Sequence, residues 1–336
     1  MKDDKIQLAH GSGGKMSHDL VEQVMVPAFS NEILAEMHDA AAVTIGGTRL
    51  AFTTDSYVVK PLFFSGGDIG KLAVCGTVND LAMSGAKPLY LSAGFVIEEG
   101  FPIADLQRVA ESMRAAAAEA GVFIVTGDTK VVEKGAVDGL FINTAGVGEK
   151  LTETSISASQ ARAGQDIILS GFLGDHAIAV MSERHGLVLP AEITSDCAPL
   201  GGLVQEMLAA VPQIAVLRDP TRGGLATTLN EIAKQANVGI ILEEEKIPVR
   251  QEVQAVCKIL GFDPLYLANE GKMVVFVEHQ YTERLLEVMR LHPYGRDAKV
   301  IGKVTDQPVG QVGMRTVIGG IRLLDMLTGD QLPRIC

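Results

Sequence analysis

Short apolar runs rich in β-branched and aromatic residues recur along the chain with longer stretches of helical period between them. This alternation restricts the possible folds more than any other feature. Ala51-Phe52, Phe123-Ile124-Val125 and Leu140-Phe141-Ile142 read as strands, and Asp105 to Ala120 reads as a helix. The pattern is that of a mixed α/β (α+β) chain. From about Lys150 to Gly164 the residues turn small and polar, and a new strand opens at Asp166-Ile167-Ile168-Leu169, so a domain boundary is expected there. A helix from about Gly223 to Ala236 and a strand from Met273 to Val277 follow. The expected division is residues 1-152, residues 153-325, and a mobile tail over 326-336 that ends in Leu-Pro-Arg-Ile-Cys336.

Length and composition remove several function classes. A chain of 336 residues with 47% apolar content can bury a substantial core, and Met1 to Lys5 offers no apolar signal core. No uncharged apolar run reaches the roughly 18 residues of a membrane span, so no membrane partner and a cytoplasmic location are expected. The net charge of -12 repels nucleic acid, and no basic stripe interleaved with aromatics offsets it. Cys75, Cys197, Cys257 and Cys336 form no C-x-x-C pair, which speaks against a disulfide framework or a thiolate metal centre.

The last of these thiols has nothing after it. A terminal cysteine is accessible and reacts once deprotonated, so it can serve as a carrier that visits a site. It can equally be a frayed end without a role. It is no prenylation box, which needs the cysteine four positions from the end.

Three aspartates sit where an unpaired carboxylate is expensive. Asp55 and Asp128 end apolar segments, at strand ends where ligands gather in α/β folds. Asp80 falls at helical spacing with Ile69, Leu72, Ala73, Gly76 and Met83, on an apolar or small face. Each needs a cation, a basic partner or several N–H donors, and magnesium with a phosphate ligand would satisfy them together; structural ion pairs or caps are the plain alternative. His10-Gly-Ser-Gly-Gly14-Lys15 can offer amides and a lysine to an anion but is not a dinucleotide fingerprint, and Gly66-x-x-x-Gly70-Lys71-Leu72 fails as a P-loop, being one residue short and lacking Ser or Thr after the lysine. Arg218-Asp219-Pro220-Thr221-Arg222-Gly223-Gly224 opens a helix, with Thr221 the expected N-cap. Lys130 and Glu270 are candidates for charge neutralisation and proton transfer, although either residue type is usually solvated.

Taken together, His10-Gly-Ser-Gly-Gly14, Thr54-Asp55-Ser56, Asn79-Asp80-Leu-Ala-Met-Ser-Gly85, Gly127-Asp128-Thr129-Lys130, Arg218-Asp-Pro-Thr-Arg-Gly-Gly224, Asn269-Glu270-Gly271-Lys272 and Pro333-Arg-Ile-Cys336 resemble the motifs of the HypE family. These are the hydrogenase maturation proteins also called carbamoyl dehydratases, within the aminoimidazole ribonucleotide (AIR) synthetase and selenophosphate synthetase superfamily. The resemblance implies a PurM-like two-domain fold, in which the sheet of the N-terminal domain builds a β-barrel with a second subunit of a homodimer. It implies ATP in a cleft, with Asp55, Asp80 and Asp219 as magnesium and triphosphate ligands. Gly13, Gly14, Lys15, Asp68, Asn79 and Gly127-Asp128-Thr129 would be further nucleotide contacts, and Lys130 and Glu270 would line the site that receives the tail. In this family a partner carbamoyltransferase, HypF, loads Cys336's counterpart thiol, ATP drives dehydration to a thiocyanate, and the cyano group passes to iron on a HypC–HypD complex for [NiFe]-hydrogenase. A selenophosphate synthetase would carry Cys or selenocysteine in the glycine loop, where this chain has Ser12. A nucleotide-binding scaffold without catalysis is the alternative from another class.

Overall fold

The computed structural model describes residues 5–152, 155–186, 193–327 and residue 329. Helices α1 (Lys15–Leu20) and α2 (Val26–Phe29) precede the strands β1 (Ala41–Ile45) and β2 (Thr48–Tyr57). A small hairpin, β3 (Phe63–Phe64) and β4 (Gly67–Asp68), leads into α3 (Ile69–Met83), β5 (Ala86–Glu98), α4 (Ile103–Ala120), β6 (Phe123–Val132) and β7 (Leu140–Lys150). The five longer strands form one sheet in the order β1-β2-β7-β5-β6, antiparallel except for β5 and β6.

The second half opens with β8 (Gln165–Leu169), α5 (Asp175–His185), α6 (Gly201–Ala210), β9 (Val216–Arg218) and α7 (Gly224–Ala236). It continues through β10 (Gly239–Glu243), α8 (Gln251–Leu260), β11 (Val274–Glu278), α9 (His279–Leu291), β12 (Lys299–Thr305), β13 (Val312–Arg315) and β14 (Ile321–Leu324). These strands form a second sheet in the order β14-β13-β10-β12-β8-β11-β9. Among the described residues no helix is long and apolar enough to cross a membrane.

Helix α3 holds the two halves together. Asp68 caps its N-terminus, accepting from the amides of Gly70 at 2.7 Å and Lys71 at 3.0 Å. The apolar face expected from Ile69 to Met83 is buried, but so are Val74, Cys75, Val78 and Leu81 on the other faces. The reason is that α3 packs on β2, β5 and β7 below, α4 beside it, and α6 and β9 of the second half above. Ala82 and Met83 thus share a core with Ile168, Leu203 and Val275. Helix α4 follows the ordinary amphipathic rule, burying Val109, Met113, Ala116 and Ala117, and ends at Gly121 in the left-handed region (φ 69).

Both helices cover one face of the first sheet and leave the other open. Phe52, Val147, Tyr90 and Phe123 are cross-strand neighbours in one row of that open face, and three of them are exposed.

Candidate active site

A cleft of about 270 Å³ lies where β2 and α3 of the first half meet the Arg218–Gly224 turn of the second. Asp55 and Tyr57 reach it from β2, Asp80 and Gly76 from α3, Asp219 and Arg222 from the turn, and Glu270 from the segment before β11. Three aspartates and a glutamate far apart in sequence therefore share one cavity.

The cost of gathering them is visible in their protonation. Burial, reinforced by the charges of Asp219, Asp39 and Asp55, pushes the Asp80 carboxyl well up, and the Thr53 hydroxyl at 3.1 Å opposes this only in part. Asp219, 8% exposed, is pushed up to about 7 by burial and then by Asp39. Glu270, 4% exposed, is pushed well up by burial, then by Cys197, Asp219, Asp196 and Asp55, and its Oε1 atom is buried without a hydrogen bond. Mutual repulsion of this kind is relieved by a cation. Among the described residues no three of His, Cys, Asp and Glu are gathered closely enough to hold a metal ion on their own. The donor set fits an ion that takes one or two carboxylates here and its remaining oxygens from bound phosphates.

Arg218 braces the wall of the cleft. Its guanidinium lies 3.0 Å from Asp39 and 2.9 Å from Glu231; burial opposes its charge, but the two carboxylates outweigh burial and hold it ionised. Asp39, Glu231 and Tyr57 were not singled out by the sequence. Glu231 shares a helical face with Thr227 and Thr228, which would have hinted at it, whereas nothing in the sequence around Asp39 marks it.

The glycine loop approaches the cleft through Gly13 alone. Gly13 has φ +78, and a Cβ there would strike the Arg222 side chain and backbone; a Cβ on Gly14 would strike the Leu327 carbonyl. Gly13 N–H donates to Ser17 Oγ at 2.9 Å, and Lys15 N–H donates to the Leu327 carbonyl at 2.9 Å. Two of the amides expected to meet an anion are thus engaged, and the loop's glycines serve close approach to two chain segments. Thr221 is not the cap of α7. Its carbonyl accepts from Gly224 N–H at 2.9 Å, and this turn delays the helix so that Gly223, at φ 76, takes the cap position.

Two expected nucleotide contacts are spent inside the protein. Asp68 caps α3, and Asn79 donates to the carbonyls of Ala198 and Glu270, both at 3.1 Å, while accepting from Leu200 N–H at 2.8 Å. Asn79 therefore fixes the backbone that carries Glu270.

Gly127, Asp128, Thr129 and Lys130 lie on β6, the edge strand opposite β1 and the strand furthest from β2 in the sheet. Asp128 and Lys130 are each 67% exposed and pair with one another at 2.8 Å, a hydrogen bond that holds the Asp128 carboxyl below its usual range. They pair in register with Gly94 and Val96 and so stand on the open face, while Asp55 lies between Thr53 and Tyr57, whose side chains are buried on the side of α3. The chain does not bring them into its own cleft. Cys336 lies outside the described residues.

Two family models match the chain: the N-terminal domain of AIR synthase related proteins over residues 37–149 and the C-terminal domain of the same proteins over residues 162–315. The carbamoyl dehydratase HypE of Azotobacter vinelandii is 53% identical over 336 residues, covering 100% of this chain and 98% of that protein. Among solved structures, HypE in a HypE–HypF complex superposes with a TM-score of 0.87 at 52% identity, covering 92% of this chain and 99% of that one. HypE in complex with ATP gives a TM-score of 0.84 at 51% identity, covering 97% of this chain and 98% of that one.

Proposed function

The chain belongs to the carbamoyl dehydratase HypE family of AIR synthase related proteins, and from that premise we propose how its residues divide the work. The reaction is ATP-dependent dehydration in hydrogenase maturation: a carbamoyl group loses water and becomes a cyano group. The thiol that carries it is Cys336, and a HypF carbamoyltransferase loads it. The convergence of Asp55, Asp80, Asp219 and Glu270 in one cleft is the observation that carries this reading.

An amide oxygen is a poor leaving group, so the carbonyl oxygen of the thiocarboxamide first takes the γ-phosphoryl group of ATP and then departs as phosphate. Asp55, Asp80 and Asp219 are the carboxylates that would hold magnesium, which supplies charge neutralisation at the phosphates. In its ionised form Glu270 takes one of the two N–H protons, and the second leaves with the departing phosphate. A carboxylate held in a buried, repulsive setting is a stronger base than one in water, and Asn79 fixes its backbone.

Lys130 and Asp128 enter through a second copy of the chain. The exposed row of Phe52, Tyr90 and Phe123 is an apolar surface that a homodimer would cover, and both charged residues stand on that same face. Lys130 would then reach the partner's phosphates. A HypC–HypD complex is the acceptor of the cyano group in this proposal.

Mass spectrometry of the carbamoyl-loaded chain tests the reading. Adding Mg-ATP should remove the mass of one water from the C-terminal peptide. A loaded chain that hydrolyses no ATP and keeps its mass defeats the dehydratase assignment and favours a docking scaffold.

A further inference from the structure

Glu270 stands in a loop and is followed by a glycine, which leaves the backbone free to turn unless its neighbours hold it. They do so residue by residue. Asn269 is fully buried; its side chain donates to the carbonyls of Pro220 at 3.0 Å and Leu267 at 2.9 Å and accepts from Gly174 N–H at 2.8 Å. The Glu270 carbonyl accepts from Asn79 of α3. Its amide donates to Oδ1 of Asp196 at 3.1 Å. An amide N–H can only donate and a carbonyl only accept, so the direction of both bonds is fixed.

Asp196 is a costly way to hold an amide, because its side chain is 3% exposed and a buried carboxylate needs a cation. Lys272 provides one, with Nζ 3.2 Å from Asp196 Oδ2, and the same ammonium donates to the Gly271 carbonyl at 3.2 Å. A ring therefore closes from the Glu270 amide through Asp196 and Lys272 back to Gly271. Two glycines give it room. A Cβ on Gly271 would strike the Asp196 carbonyl oxygen, and one on Gly171 would lie 3.1 Å from Lys272 Cε. Among the described residues Glu270 lines the cleft, whereas Asp196 and Lys272 do not. What the pair does for the chemistry it does through Glu270.

We infer that Asp196 is the positioning residue of the base: its carboxylate, held by Lys272, grips the Glu270 amide while Asn79 grips the carbonyl. The Glu270 side chain then enters the cleft from a backbone fixed on both sides and meets the carbamoyl N–H in one orientation. The inference rests on the dehydratase reading above, with Glu270 as its base. A charged acceptor suits the task, since such hydrogen bonds are shorter and stronger than neutral ones, and orientation of a base is worth much of its rate.

The test uses the full chain, loaded at the terminal thiol with cyanate so that no ATP is needed for loading, then mixed with Mg-ATP and followed by the mass of the C-terminal peptide. Two double variants remove the ion pair as a whole, which a fold tolerates better than the loss of one partner. Asp196→Asn with Lys272→Met keeps an acceptor oxygen for the amide and should lose water within about threefold of the wild-type rate. Asp196→Leu with Lys272→Met offers no acceptor and should be slower by roughly 10- to 100-fold, with ATP affinity within about twofold of wild type. In a Glu270→Gln chain the Leu and Met substitutions should slow the reaction no further. If the Leu variant does not fold, Asp196→Ala with Lys272→Met takes its place in the same comparison. Equal rates for the acceptor and acceptor-free variants overturn the inference. So does slowing that tracks weaker Mg-ATP binding, and so does additional slowing in the Glu270→Gln chain, which would mark the pair as packing alone. A Glu270→Gln chain at the wild-type rate also overturns it and leaves the dehydratase reading standing. If the loaded wild-type chain loses no water, that reading itself fails and takes this inference with it.

Discussion

A glutamate in water is ionised at neutral pH, whereas Glu270 is held in a setting that favours its protonated form. The sign of its contribution to stability follows. Its carboxyl is raised in the folded state, so the stability it lends is fully present below the ordinary value of 4.5 and is lost as pH rises through the higher folded value. Glu270→Gln removes that loss. The melting temperature of the variant should therefore gain on wild type as pH is raised from about 4.5 towards neutrality in the absence of nucleotide. At neutral pH the same variant should dehydrate at least tenfold more slowly with near-normal ATP affinity, measured by single-turnover mass spectrometry and calorimetry. Asp80→Asn should weaken Mg-ATP binding while raising stability without ligand, because it removes one of the repelling charges. Unchanged affinity would count against Asp80 as a ligand residue.

At the scale of elements, the positions of strands and helices were legible because period and turn chemistry agree. The strand expected at 123–125 is the start of β6, and the helix expected from about Gly223 is α7, from Gly224 to Ala236. What the sequence hid was the surroundings of each element. Asp80 was recognisable as misplaced on an apolar helix, but a helix buried on every side shows no clean stripe, so nothing local said which of its faces met the cleft. Asp55 and Asp128 were expected at strand ends, but both lie inside strands, β2 running on to Tyr57 and β6 to Val132; and β6 is an edge strand whose residues 128 and 130 stand on the open face, a fact of strand order that no local pattern encodes. The cap of α3 gives a simple check on the helix that orders the site. Asp68→Ala should lower stability by about 1 kcal/mol, read from a denaturant midpoint, without changing the chemistry of loaded protein that remains folded.

For the molecule as a whole, the open face of the first sheet is the decisive surface. Its apolar row across four strands is the surface that the proposed homodimer would cover. On that proposal the wild-type chain should sediment as a dimer and Phe123→Glu as a monomer, with dehydration reduced together with the loss of the dimer. A monomeric variant with full activity would remove Lys130 from the site.

The contact of Gly14 and Lys15 with Leu327 has a kinetic meaning. It fixes the chain at Leu327 beside the Gly13 end of the cleft, and the nine residues from Thr328 to Cys336 can span at most roughly 30 Å from there. A carbamoyl group carried on Cys336, as proposed, would have an effective concentration set by that short span of chain and not by the number of molecules in the cell. On the proposed roles, scarcity of the protein would slow dehydration only by dissociating the dimer that brings in Lys130. Within an assembled dimer the step would proceed with a half-time of its own, and supply would be governed at the loading and unloading steps, where other proteins must be met.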